Sequence, residues 1–381
     1  MNKSDGQILI LHRQYRVRGG EDTFLDEILV PTLKKMNVSF NLLRLPPLFS
    51  GENPIEDFFE TLFMFLGLEQ LRPSYRYVNN YVSKGHYKIV LFNNFVPTIS
   101  LALPEHFRKQ KIKTMMWLHN ARISCANGLL FNGKTDCHRC LTKGSRWVFL
   151  QKCLPTNLQS FLYGVIYKNK RVTRHLLRGI EKYICNSEFT ANILKTSAQN
   201  IGLEDLCFEI IRMPPTATTF NILNSSKIDI AKPFYLFMGR VSYEKGADIF
   251  VEMARHYPKL NFVLSGEGPL LEGLRKIASP NLVFTGRVDF ERAWLYKNAE
   301  ALIIPSRVKE TSSLVIAESQ PFGTPVVWPA GGGAEETVKW LNRSGCAIEN
   351  FVGQSFEKTD LPNSIALNSD FESKMSSLLE G

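Results

Sequence analysis

Glu310 and Glu318 stand eight residues apart in the stretch Arg307–Glu318, which reads Arg-Val-Lys-Glu-Thr-Ser-Ser-Leu-Val-Ile-Ala-Glu. Carboxylates accept hydrogen bonds from hydroxyls, as a ribose or a sugar would offer them. The surrounding residues say which elements must hold the pair. Ala301–Ile304, closed by Pro305 and Ser306, reads as a short apolar strand, Thr311, Ser312 and Ser313 as a helix start, and Leu314–Ala317 as the body of a buried helix. A strand leading through a loop into a helix is where parallel α/β sheets place ligands, with the first helical amides facing an anion. The spacing alone occurs in many helices, so the neighbouring segments decide.

Those neighbours repeat the pattern. Strand Tyr235–Met238 leads to Gly239-Arg240, and Lys245-Gly246 precedes a helix through His256. Strand Asn261–Leu264 leads to Gly266-Glu267-Gly268-Pro269, strand Leu282–Phe284 leads to Gly286-Arg287-Val288, and strand Pro325–Trp328 leads to Gly331–Gly333. In a parallel sheet these strand ends share one edge, so Gly239, Arg240, Lys245, Gly266, Gly268, Gly286, Glu310 and Glu318 are expected to converge. Glycine-rich backbone, two separated cations and two carboxylates suit a nucleotide diphosphate carrying a sugar. Arg240 could bind the diphosphate through two parallel bonds and Lys245 as a point charge. Either cation alone reads equally well as half of a surface ion pair; each following a strand and a glycine, they favour the ligand.

The first half opens with strand Gln7–Leu11, then His12-Arg13 and a polar loop ending in Gly19-Gly20. Glu21 begins a helix with apolar Phe24, Leu25, Ile28 and Leu29, which makes the double glycine a candidate phosphate or acceptor loop, or an ordinary turn. Further strands read as Lys88–Phe92, Thr114–Leu118 and Lys182–Cys185, again alternating with helices. The fold class is therefore α/β, built on parallel sheets covered on both faces. A first domain is expected over residues 1–215 with a cysteine-containing insertion near 120–155. A linker at 216–232, a second domain at 233–350 and a tail at 351–381 that packs back on the first domain complete the division.

The chain has 381 residues, 44% of them hydrophobic, with a net charge of +10. No stretch is long and apolar enough to span a bilayer, and the N-terminus runs directly into a strand without a secretory core. A cytoplasmic protein is expected. Its charge is concentrated: Arg108–Lys182 holds 16 Lys and Arg against two acids, Asp136 and Glu181. That excess argues for an anionic partner surface, lipid or nucleic acid, unless it is an idle basic face. Trp147, Phe149, Leu150, Phe161, Leu162 and Tyr163 add apolar residues to the same region, as a docking surface on anionic lipid would, although a core helix with a charged outer face has the same composition. Seven cysteines make a disulfide framework unlikely in such a protein. Four of them, Cys125, Cys137, Cys140 and Cys153, are separated by 11, 2 and 12 residues, which is compatible with a structural tetrahedral zinc site, although a second Cys-x-x-Cys is missing.

The second half resembles the nucleotide-binding domain of retaining family-4 glycosyltransferases of the GT-B fold. The resemblance rests on Gly239-Arg240 with Lys245-Gly246, Gly266-Glu267-Gly268-Pro269, Pro305-Ser306, the Glu310 to Glu318 spacing, and Gly323-Thr324-Pro325-Val326-Val327. The first half fits more loosely. Gly19-Gly20-Glu21, Asn93-Asn94, and His119-Asn120 followed by Cys125, Asn127-Gly128 and Cys137-x-x-Cys140 are similar to a subgroup of bacterial polysaccharide enzymes. The resemblance implies two Rossmann-like doubly wound domains facing across a cleft and a metal-independent hexosyl transfer in lipopolysaccharide O-antigen or capsule synthesis. Arg240 and Lys245 would then hold the donor diphosphate, Glu318 the ribose, and Glu310 the transferred sugar. Arg287 and Val288 would lie by the base and His119 near the reacting carbon, with Gly19, Gly20 and the Thr311–Leu314 loop (Thr311, Ser312, Ser313, Leu314) also at the donor. The donor would be a UDP- or GDP-type sugar and the acceptor a polyprenyl-diphosphate-linked saccharide, at the inner face of the cytoplasmic membrane, with no nucleic acid. The family's usual Phe-Gly is Ser312-Ser313 here, which bears on donor identity, and its Asn-Gly at the domain junction is Pro214-Pro215. A GT-B epimerase or phosphorylase, or a zinc-containing nucleic-acid module, are the other readings.

Overall fold

The computed structural model describes residues 7–15, 19–48, 53–143, 146–151, 153–154, 160–161, 163–164, 176–203, 205–214, 230–288, 291–358 and 364–380. Pro215, Leu162 and residues 216–229 of the expected linker lie outside them. The chain divides into two compact units, Met1–Ile211 with Ser376–Gly381, and Arg212–Met375.

Six parallel strands form the sheet of the first unit: β1 (Gln7–Arg13), β2 (Phe40–Leu45), β3 (Tyr87–Asn94), β4 (Lys113–Leu118), β5 (Lys182–Cys185) and β6 (Phe208–Ile210). Their order is β2-β1-β3-β4-β5-β6, with Leu9 opposite Val90 and Leu91 opposite Met115. The central strands are apolar runs buried on both faces, as a sheet covered by helices on each side requires. The chain turns back between β1 and β3, so the sequence runs outward in both directions from that pair. The final helix, Ser364–Glu380, ends in this unit, where Lys113 Nζ donates to the Leu378 carbonyl at 3.4 Å.

A second parallel sheet comprises β7 (Phe234–Met238), β8 (Asn261–Ser265), β9 (Leu282–Gly286), β10 (Ala299–Ile303), β11 (Val326–Trp328) and β12 (Gly345–Ala347). Its order, β12-β11-β10-β7-β8-β9, is the doubly wound arrangement, and its reversal point lies between β7 and β10. Side chains of β7 alternate between two cores: Phe234 and Leu236 pack with Tyr296, Ile316 and Val338, while Tyr235 and Phe237 pack with Phe250, Phe262 and Leu264. The strands read from sequence are present with small changes of boundary. Phe40–Leu45, Phe208–Ile210 and Gly345–Ala347 were not expected, and all three are edge strands.

Candidate active site

In an open parallel sheet a crevice forms outside the carboxyl ends of the two strands at the reversal point. Here those strands are β7 and β10, and polar residues succeed each of them. Lys245, after β7, donates from Nζ to Glu310 Oε1 at 2.9 Å, and Ser306, just after β10, donates from Oγ to the same oxygen at 2.5 Å. The Glu310 side chain is 8% exposed and that of Lys245 33%, so the pair lies in a half-dry setting that strengthens charge. The glycine after Lys245 has a steric cause. Gly246 takes φ +70°, and a Cβ there would stand 1.9 Å from the Pro305 carbonyl oxygen, so the backbones leading out of β7 and β10 pack directly on each other. Gly266 plays the same part between β8 and β7, where an added Cβ would meet the Gly239 oxygen at 1.8 Å.

Several expected residues have partners that the sequence did not announce. Arg240 is exposed and bonded to Glu244 Oε1 at 2.5 Å, and Ser242 Oγ reaches the same oxygen at 2.8 Å. Glu318 is buried in the helix Leu314–Ser319. One carboxylate oxygen faces Arg292 Nη1 at 3.2 Å, and the other accepts from the Tyr296 hydroxyl at 2.8 Å. That helix begins at the end of the Thr311-Ser312-Ser313 run that reads as its start, with Ser313 as N-cap, but it is six residues long, so its terminal charge is smaller than that of a long helix. Ser313 Oγ is buried without a hydrogen-bond partner among the described residues, and Ser312 Oγ lies 3.8 Å from Met213 Sδ. Thr311 and Leu314 are half-buried beside them, Arg287 is exposed, and Val288 packs against the second unit's core. Gly331–Gly333, to which the sequence reading gave no role, support the carboxylate loop: the Gly333 amide donates to the Glu310 carbonyl at 2.7 Å, and a Cβ at Gly333 would come within 2.0 Å of the Thr311 oxygen.

Residues 219–358 match the family of glycosyl transferases group 1. Among curated relatives, alpha-monoglucosyldiacylglycerol synthase of Streptococcus pneumoniae is 27% identical over 42% of this chain and 39% of its own. The 2-deoxystreptamine N-acetyl-D-glucosaminyltransferase of Streptomyces fradiae is 30% identical over 51% of this chain and 52% of its own. The chain thus spans about two fifths to half of the length of these relatives. Among solved structures, HepE of Anabaena in complex with UDP-glucose is similar over 98% of this chain and 91% of its own, with a TM-score of 0.56 and 16% identity. Sucrose-phosphate synthase from Thermosynechococcus elongatus is similar over 97% and 90%, with a TM-score of 0.57 and 17% identity. Together with the two six-stranded parallel sheets, these neighbours show the GT-B glycosyltransferase fold. The family match and the relatives support the glycosyl transferases group 1 family.

The group 1 match begins after the first unit, whose own reversal point is equally polar. His12 and Arg13 end β1, Asn93 and Asn94 end β3, and all four are buried. His12 Nε2 lies 2.9 Å from Asp22 Oδ1, Asn93 Nδ2 lies 3.0 Å from His12 Nδ1, and His119 Nε2 lies 2.8 Å from Asn93 Oδ1. Burial, and then the neighbouring His12, push His119 down to about 3, so this ring is neutral at physiological pH. A cavity of about 20 Å³, room for about one water, is lined by Asn93, His119, Asn120 and Arg122 among others. Glu21 accepts from Asn120 Nδ2, and burial raises its carboxyl. Gly19 precedes the helix Gly20–Phe24 and Gly20 opens it, but neither takes a positive φ and no atom lies within 4 Å of a Cβ placed on Gly20. His12, Asp22 and Asn93 were not singled out as site residues; polar residues closing apolar strands were the available signal.

The four clustered cysteines carry no disulfide. Burial pushes the Cys125 thiol up, and burial, then Cys125, Cys153 and Cys137, push the Cys140 thiol up to about 12. Among the described residues no group of three or more His, Cys, Asp or Glu is arranged to hold a metal ion.

Proposed function

We propose that this protein is a retaining glycosyltransferase that moves a sugar from a nucleotide-diphosphate sugar to a saccharide acceptor. The observation that carries the reading is the Lys245–Glu310 pair at the reversal point of the second sheet, inside the stretch that matches glycosyl transferases group 1. The names of two relatives, an alpha-monoglucosyldiacylglycerol synthase and a 2-deoxystreptamine N-acetyl-D-glucosaminyltransferase, support it, as does the fold neighbour HepE, solved with UDP and with UDP-glucose. As the bond between the sugar carbon and the leaving phosphate oxygen breaks, negative charge grows on the diphosphate. Lys245 and Arg240 exchange their present carboxylate partners, Glu310 and Glu244, for that charge. Glu310 and Glu318 are left as acceptors for hydroxyls of the sugar and the ribose. The acceptor hydroxyl attacks from the same face, and its proton passes to the departing phosphate oxygen, so no separate side-chain base and no metal take part.

The acceptor in this reading is a lipid-linked saccharide of a cell-surface polysaccharide, reached from the cytoplasmic face of the membrane. Support comes from the basic stretch Arg108–Lys182 and from Phe149, Leu150 and Phe161, which are about half exposed. Among the described residues no helix is long and apolar enough to cross a membrane. A structural zinc on Cys125, Cys137, Cys140 and Cys153 is the last part of the reading, supported by their spacing alone, since among the described residues the four side chains are not arranged to hold a metal ion.

A thermal-shift screen across uridine, guanosine and adenosine diphosphate sugars identifies the donor, and radiolabelled transfer to an acceptor extract comes next. Glu310→Ala abolishes transfer in a folded protein. Full turnover in that variant, or conversion of the nucleotide sugar without any acceptor, overturns the assignment, the latter in favour of an epimerase.

A further inference from the structure

We infer that Asp22, His12 and Asn93 form a positioning chain that fixes His119 as its Nε2–H tautomer, with the lone pair on Nδ1. The part this plays in catalysis rests on the proposed glycosyl transfer; the chain itself does not.

Each link constrains the next. An ionised carboxylate only accepts, so Asp22 Oδ1 accepts a hydrogen bond from His12 Nε2 across 2.9 Å. An amide nitrogen only donates, and Asn93 Nδ2 faces His12 Nδ1 at 3.0 Å, so His12 accepts there. Asn93 thereby spends its amide on His12 and turns its carbonyl to His119 Nε2 at 2.8 Å. That nitrogen must carry the proton, and the lone pair of His119 is left on Nδ1.

The reversed chain is self-consistent only as a whole. Turning Asn93 over by itself would set its amide against the proton of His119 and its oxygen against the lone pair of His12. Reversal therefore needs a second proton on His12, and it would move the proton of His119 to Nδ1. The far end of the chain is pinned: the Gly19 amide donates to Asp22 Oδ2 at 2.9 Å, at the start of the helix Gly20–Phe24. Water does not compete, because His12, Asp22 and Asn93 are 0%, 5% and 3% exposed. His119 is also held in place by rings, with Trp117 stacked at 6.1 Å and Phe24 at 4.9 Å. His12 is wholly buried and acts through Asn93, so it is a positioning residue.

The test is ¹⁵N-histidine NMR on the full chain at pH 7, with His119→Asn used to assign the signal. The wild type is expected to show a pyrrole-type Nε2 and a pyridine-type Nδ1 at residue 119. Asp22→Asn allows the side chain at 22 to donate to His12 Nε2, and this moves the His119 proton wholly or partly to Nδ1. Asn93→Ala cuts the chain and gives a mixture. A pyridine-type Nε2 in the wild type overturns the inference, as does an unchanged signal in a folded Asn93→Ala. If Asp22→Asn fails to fold, the wild-type assignment and Asn93→Ala still decide. In a transfer assay Asn93→Ala lowers kcat/KM by roughly 10–100-fold, as partners that orient metal-ligating histidines do. The expected tautomer in a protein that transfers no sugar would refute the proposed function and leave the positioning chain standing.

Discussion

Removing the Glu318 carboxylate should cost the second unit about 3–5 kcal/mol of stability. Its side chain is 4% exposed and shares one oxygen with Arg292, whose side chain is 16% exposed. Truncating one partner of a buried pair removes compensation from the other charge, at up to about 3–5 kcal/mol. The slight exposure of Arg292 lets water recover part of that loss. The Tyr296 hydroxyl offsets the recovery, because it is fully buried and would lose its acceptor at 2.8 Å, a further cost of about 1–3 kcal/mol. Glu318→Ala therefore falls within the range for the pair alone. Glu318→Gln keeps an acceptor for Tyr296 and loses only the charge, so it should cost about half as much. Urea unfolding, monitored through the tryptophan fluorescence of Trp294 and Trp328, measures both. If Glu318→Ala unfolds within about 0.5 kcal/mol of the wild type, the carboxylate is not held as described. If both glutamate variants cost the same, the Tyr296 bond contributes nothing. The comparison also separates structure from ligand binding: Glu318→Gln is the variant in which lost nucleotide affinity can be read without a collapsed helix.

Lys245→Ala should cost less than about 1 kcal/mol of stability, because the cation is one third exposed and Glu310 keeps Ser306. Transfer by the same variant falls by about 10²–10³ if Lys245 stabilises the leaving diphosphate, and paired unfolding and rate measurements check both halves. Gly266→Ala, with φ +141° and a carbonyl oxygen 1.8 Å from the new Cβ, should lower stability by about 2–3 kcal/mol. Gly20→Ala, with nothing within 4 Å, should be neutral or stabilising by about 0.5 kcal/mol, which melting curves distinguish. The His119 ring is held near 3 in the fold against 6.5 when free, so between those values the unfolded chain binds the extra proton. Its contribution is complete above pH 6.5 and declines by about 1.4 kcal/mol per unit as the pH falls below it; His119→Asn should flatten that slope in acid unfolding. Metal analysis of the purified chain should find one zinc, lost in Cys137→Ser, and a metal-free wild type would remove the zinc reading.

How far the sequence could be read depended on where a strand lies in its sheet. β1, β3, β4, β7 and β8 are buried on both faces, so their residues had to form continuous apolar runs, visible without any partner. The strands left unread, β2, β6 and β12, lie at edges. β6 and β12 are three residues long and only half-buried throughout, so no run marks them. The glycine-ended loops were legible for a related reason. Gly246 and Gly266 are required wherever two strand exits pack backbone on backbone, and that requirement leaves a one-residue signature.

Partners of functional groups leave no such signature. Glu310 and Glu318 could be found by their spacing, but Arg292 and Tyr296 come from a helix that reads as ordinary core packing, 26 and 22 residues away. His12 and Asn93 are 81 residues apart and meet only because β1 pairs with β3. In each sheet the strands that meet across the reversal point are distant in sequence. Groups that act together across that point are therefore the ones whose association a local pattern cannot carry. What a local pattern can carry is the anomaly each leaves on its own strand. A polar residue closing an apolar run is unfavourable to bury unless something satisfies it. His12 after Leu11, Asn93 after Phe92 and Ser306 after Ile304-Pro305 are all such positions, and each is satisfied in the fold by a group the proposed chemistry uses.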